Sequence, residues 1–224
     1  MFRLSVDLEP LFRLYNADGA EIHKPLLKNA LALESAGADG VVLGNYGAYD
    51  PVRLRVFRGL AENLDMNLSI RTSIEEQWIE ALLEIKPSLT IFAFDGKQAD
   101  KIGIIVTRLQ VANILVAFEI EPDLELVKQA ARLKGDFLVF NCAKYLEAEN
   151  VGGQIEQLNS ISKAAALGSR LSLGSIAAGD FDKPRLARLI QTGGIEEVFI
   201  GMPVLSESLL KGYRDSMNSL ILRI

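Results

Sequence analysis

The chain has 224 residues, 49% of them hydrophobic, 7% aromatic and 24% charged, which excludes a disordered or low-complexity polypeptide and suits one domain over residues 1–224. With 24 Lys and Arg against 29 Asp and Glu, a formal charge of -5 and no basic run, the sequence offers no nucleic-acid surface. No apolar stretch reaches the roughly 18 residues that a membrane span requires, and Asp7 stands where a signal peptide needs apolar residues, so a cytoplasmic protein is expected.

Strand-like apolar runs alternate with segments of helical period along the whole chain. Strands are predicted at 3–8, 40–43, 66–71, 89–94, 113–119, 136–140, 170–174 and 197–200. Helices are predicted between them at 25–35, 51–63, 74–85, 97–109, 122–133, 154–167, 183–191 and from 203 to about 221. Glycines 37, 135, 168 and 193 read as helix C-terminal residues, and prolines 51, 122 and 203 lie near helix starts. Ser73 with Glu76 reads as a capping box opening the third of these helices. Eight units of about 28 residues, with nearly continuous apolar strands, predict an α/β fold: a closed eight-stranded parallel (β/α)8 barrel, or TIM barrel.

In such a barrel the active site lies on the loops after the strands. The longest is read as residues 9–24, followed by 141–153 and 175–182. Candidate binding side chains at strand ends are Ser5, Asn45, Ser69, Arg71, Asn141 and Lys144, with Asp7 and Glu119 as candidate catalytic acid or base. Strand alternation puts Ser5 and Asp7 on one face, and likewise Ser69 and Arg71. Arg71 paired with Asp7 or Glu119 admits two readings: a charged clamp for substrate, or an ion-pair layer capping the core. Gly174-Ser175 and Gly201-Met202 stand where barrels often hold a phosphate, although neither stretch has a nearby cation and Pro203 lacks an N–H.

The single histidine, His23, reads as a solvated or capping residue in the first loop, and the single cysteine, Cys142, as a small buried thiol. With one of each, no metal site is expected, and no nucleotide-binding glycine pattern calls for a cofactor. Trp78 reads as packing, while Tyr46 and Tyr49 either cover a ligand or line a loop base.

These residues resemble the pyridoxine 5'-phosphate synthase family, (β/α)8 barrels of vitamin B6 biosynthesis. Ser5-Val-Asp7 resembles that family's first-strand Asn-x-Asp-His, and residues 15–19, Tyr-Asn-Ala-Asp-Gly, its Arg-Asn-Ala-Arg-Gly. Residues 36–40, 65–68, 85–87 and 200–201 are similar to the family's second-strand entry, third strand, fourth-strand approach and eighth-strand exit. The likeness keeps register from first strand to last helix, with this chain shorter between Phe94 and Ile102.

The departures matter as much. The resemblance puts family histidines on Leu8, Gly44, Ser175 and Met202, family glutamates on Ser69 and Val139, and a phosphate-meeting arginine on Asp18. It therefore implies a barrel without ring-closing activity, a pseudoenzyme binding a small anionic or phosphorylated molecule or a partner. The alternatives are an enzyme rebuilt around Asp7, Arg71, Glu119 and Lys144 on a different phosphorylated or carboxylated molecule, and a functional synthase. The apolar composition and the family's habit of assembly imply a homo-oligomer; the sequence does not place its interface, although the end of the last helix (Met217, Leu220, Ile221, Leu222 and Ile224) is unusually apolar.

Overall fold

The computed structural model describes residues 2–16 and 22–221. Its strands are β1 (Arg3–Asp7), β2 (Gly40–Gly44), β3 (Asn67–Thr72), β4 (Leu89–Ala93), β5 (Leu115–Ile120), β6 (Phe137–Asn141), β7 (Gly174–Ala178) and β8 (Glu197–Ile200). The helices are α1 (Glu9–Asn16), α2 (His23–Ser35), α3 (Pro51–Asn63), α4 (Glu76–Ile85), α5 (Ala99–Val111), α6 (Leu124–Arg132), α7 (Ala143–Glu147), α8 (Val151–Arg170), α9 (Lys183–Gln191) and α10 (Met202–Ile221). Each strand pairs in parallel with the next, and β8 pairs with β1, so the sheet closes into a barrel in chain order. Among the described residues no helix is long and apolar enough to cross a membrane.

Strand alternation divides the core in two. Val42, Leu89, Ile91, Ala117, Val139, Ile176, Ala178 and Phe199 fill the barrel interior, all 8% exposed or less. The opposite face of each strand, represented by Val6, Val41, Ile70 and Phe118, packs against the helices. Helix starts are fixed by acceptor side chains: Asp50 takes the Val52 N–H, Asp123 those of Glu125 and Leu126, and Asp182 that of Arg185.

Several expectations are corrected. The seventh strand is Gly174–Ala178 rather than 170–174, because α8 runs on through Arg170 and the chain turns at Ser172 with φ 62°. Gly168 accordingly lies inside α8, and after α6 the positive φ belongs to Lys134 rather than Gly135. Gly135 is required by space, since a Cβ there would sit 2.8 Å from the Phe118 ring. The capping box does not form: Glu75 is the N-cap of α4 without a side-chain capping bond, and Ser73 Oγ is buried without a partner. The first and sixth loops carry short helices, α1 and α7, and His23 begins α2.

Candidate active site

The C-terminal ends of the strands gather a charged cluster whose members come from four βα units. Asp7 closes β1, Arg71 is the penultimate residue of β3 and Glu119 that of β5, all projecting inward by alternation with interior neighbours. Arg71 Nη1 donates to Asp7 Oδ2 at 2.6 Å, and its Nε donates to Glu119 Oε2 at 2.9 Å. Tyr46, just beyond β2, donates its hydroxyl to the same Oε2 at 2.6 Å, and Asp7 Oδ1 accepts the Glu9 N–H at 2.9 Å. The Arg71 guanidinium also lies 5.8 Å from the Phe199 ring centroid.

Burial disfavours the charge on Arg71, but the facing carboxylates of Asp7 and Glu119 outweigh it, so the guanidinium holds its proton more firmly than usual. Burial and the Glu119 carboxylate push the Tyr46 hydroxyl well above its ordinary range, with Arg71 opposing them. The backbone is shaped around this cluster. Gly44 has φ 113°, and a Cβ there would fall 2.2 Å from the Arg71 carbonyl oxygen, so only glycine lets β2 pass β3 here.

Above the cluster opens a cavity of ≈ 350 Å³, lined by Asp7, Arg71, Glu119, Tyr46, Asn45 and Asn141 together with Glu9, Arg13, Asp180 and Gly201. Tyr46, Glu119 and Asn141 also border a neighbouring hollow of ≈ 500 Å³ that includes Phe94, Asp95, Glu121 and Leu126. Asn45 and Asn141 each use Oδ1 to hold a turn, accepting from Gly47 and Ala143. At the rim, Glu9 is bound by both terminal nitrogens of Arg53 at 2.7 and 2.8 Å, and Arg53 lies 4.0 Å over the Phe12 ring. Arg13 reaches the same Glu9 at 3.2 Å but stays 73% exposed in its side chain. Across the mouth, Asp180 Oδ1 accepts the backbone N–H of Met202 at 3.0 Å.

Of the sequence candidates, the structure brings Asp7, Asn45, Arg71, Glu119, Asn141 and Gly201 to this cavity. Met202 adjoins it as the first residue of α10. Ser69 is buried inside the barrel one inward position below Arg71. Ser5 is lower still: its hydroxyl donates to Glu197 at 2.5 Å, and Glu197 pairs with Arg3 at 3.2 Å. Burial raises the Glu197 carboxyl, against the opposing pull of Ser5 and Arg3. Lys144, on α7, pairs instead with Glu121 at 3.1 Å and is 65% exposed.

Gly174 and Ser175 require correction. They begin β7, at the opposite end of the barrel from the cavity, and the phosphate loop read there is in fact a strand. Ser175 points outward toward Gly168 of α8, and Gly174 is glycine because a Cβ would strike the Phe137 ring at 2.4 Å. The loop that follows β7 begins at Gly179. Asp18 lies outside the described residues. Sequence reasoning missed Glu9, Asp180 and the link from Tyr46 to Glu119. Asp180 fell within the loop read at 175–182 without being singled out.

Cys142 is buried, and burial pushes its thiol up to about 12, so it is no nucleophile at neutral pH. Trp78 packs between Tyr49 and Phe57, with ring centroids 5.0 and 5.6 Å away.

A model of the family described as "Pyridoxal phosphate biosynthesis protein PdxJ" matches residues 4–224. The chain is 24% identical over 234 residues to the pyridoxine 5'-phosphate synthase of Geotalea daltonii, covering 99% of this chain and 98% of that one. It is 24% identical over 238 residues to the enzyme of the same name from Geobacter sulfurreducens, with 99% and 98% covered. For that of Geobacter metallireducens the identity is 23% over 234 residues. A match that runs from the first strand to the end of α10, on a barrel closed in the same chain order as its eight units, means that this chain belongs to the pyridoxal phosphate biosynthesis protein PdxJ family.

Proposed function

We propose that this member of the family does not close the pyridoxine ring and instead binds a small polar molecule at the barrel mouth. The observation that carries the reading is the network Asp7–Arg71–Glu119–Tyr46. Ring closure needs several proton transfers, each made by a positioned acid or base. The carboxylates of Asp7 and Glu119 are instead spent on a guanidinium that does not give up its proton, and on a phenol whose proton is held by burial and by Glu119. Among the described residues that line the cavity there is no histidine.

Gly44 adds support, because the resemblance puts a family histidine there and this backbone leaves no room for any side chain. The residues implied at Ser69 and Val139 point the same way, since a serine and a valine supply neither acid nor base in the barrel interior. For a ligand, the cavity offers the side-chain amides of Asn45 and Asn141, with Arg13 as its exposed cation. An anionic ligand would therefore depend on Arg13.

A second reading, an enzyme rebuilt on a different substrate, is favoured by one observation: the charged network borders an open cavity rather than a sealed core. The test of the main reading is complementation. Expressed in a bacterium that lacks its own ring-closing enzyme, the chain is expected to give no growth without added vitamin B6. Growth at the rate given by a working synthase would overturn the proposal.

A further inference from the structure

Barrels of this architecture frequently hold a phosphate between the loops after the seventh and eighth strands, with N–H groups at a helix start pointing at the anion. In this chain the equivalent place is filled from within. After β7 ends at Ala178, Gly179 leads to Asp180, whose carboxylate reaches over to the loop after β8. Its Oδ1 accepts the Met202 N–H at 3.0 Å, a bond between residues 22 apart in sequence. Local capping does not account for a link of that span; it ties two loops together across the mouth.

The surroundings are equally unfavourable to an anion. Pro203 brings no N–H, so Met202 supplies the leading donor of α10, and that donor is engaged. A Cβ built on Gly201 would lie 3.2 Å from the Asp7 Cβ and 3.5 Å from Asp180 Oδ1. The glycine over which a phosphate would have to settle is thus flanked by two carboxylate-bearing residues, both lining the cavity.

We propose that Asp180 is a specificity-determining residue: its carboxylate occupies the anion cradle of the barrel and turns phosphate groups away from the α10 terminus. A phosphate arriving there would have to displace the Met202 bond and then stand beside the displaced carboxylate. The molecule bound at the mouth therefore places no phosphate on Met202. This goes beyond the loss of ring closure and fails separately from it, because a chain without synthase activity could still bind phosphate at this point.

The test uses the full chain labelled with nitrogen-15 and titrated with inorganic phosphate at constant ionic strength, following the Gly201 and Met202 amides. Wild type is expected to show no saturable shift in the millimolar range. Asp180→Ala, which frees the amide, is expected to show one, with affinity at least about tenfold tighter than wild type. Asp180→Asn keeps an acceptor for Met202 without the charge, which protects the fold, and is expected to bind phosphate more weakly than Asp180→Ala. A saturable Met202 shift in wild type, or the absence of one in both variants, would overturn the proposal.

Discussion

Arg71 is the side chain on which the polar layer at the barrel mouth depends. It is 10% exposed and pairs with both Asp7 and Glu119, which are 22% and 17% exposed. Removing one partner of a mostly buried ion pair leaves uncompensated charge and costs about 3–5 kcal/mol. Arg71→Met should therefore lower the melting temperature by roughly 10 °C in a chain of this size, and thermal unfolding followed by circular dichroism checks it. A second prediction concerns the other end of the barrel. Burial raises the native Glu197 carboxyl above its ordinary 4.5, with Ser5 and Arg3 opposing. The native state thus binds this proton more tightly than the unfolded chain does. The resulting stabilisation is complete below the unfolded value and is lost as pH rises through the native one. Glu197→Gln removes the titration while keeping an acceptor for Ser5. Urea midpoints from about pH 4 to about pH 7 should show wild type losing stability relative to the variant as pH rises.

Among the elements, β7 is where residue-level pattern and structure part. Its sequence, Gly-Ser-Ile-Ala-Ala, lacks the branched apolar run that marked the other strands, whereas residues 170–174 alternate in the expected way. Small residues are what the place demands, since Phe137 of the neighbouring strand fills the volume that a side chain at 174 would need. Gly174→Val should accordingly force a shift of that ring and cost about 1–3 kcal/mol, read as a lower urea midpoint with unchanged m-value. The other seven strands were legible to within about two residues, because apolar runs bounded by glycine, proline and acid caps leave little choice of period. Asp7, Arg71 and Glu119 were legible for the same reason, as polar residues at the ends of apolar strands. Gly174 was not, because a four-residue displacement of one strand turned a strand into a loop; Asp180 lay within the loop read at 175–182 but was not distinguishable there, since its bond to Met202 joins residues 22 apart. Tyr46 was visible as a loop aromatic, but its bond to Glu119 joins residues 73 apart and leaves no local trace.

For the whole molecule, self-association remains our expectation. Of the apolar end of the last helix, Met217 and Leu220 are 0% and 3% exposed and face inward, and Leu222 and Ile224 lie outside the described residues; Leu209 and Leu210 of α10 are 87% and 86% exposed, ahead of the break in the helix at Gly212. Light scattering at micromolar concentration is expected to give a mass above the 24.6 kDa of one chain, and a monomer would contradict this. Under the proposed function, a family barrel has been kept while its ring-closing chemistry has been replaced by the Asp7–Arg71–Glu119–Tyr46 network. Loss of one general acid or base typically costs about 10²–10⁴ in rate, and residues acting as a unit fail as a unit. The most direct measurement is turnover of the purified protein supplied with the substrates of the pyridoxine 5'-phosphate synthases it resembles, following pyridoxine 5'-phosphate by chromatography. The account predicts formation far below that of a working synthase; turnover on the order of 1 s⁻¹, within the ordinary range of enzymes, would contradict it.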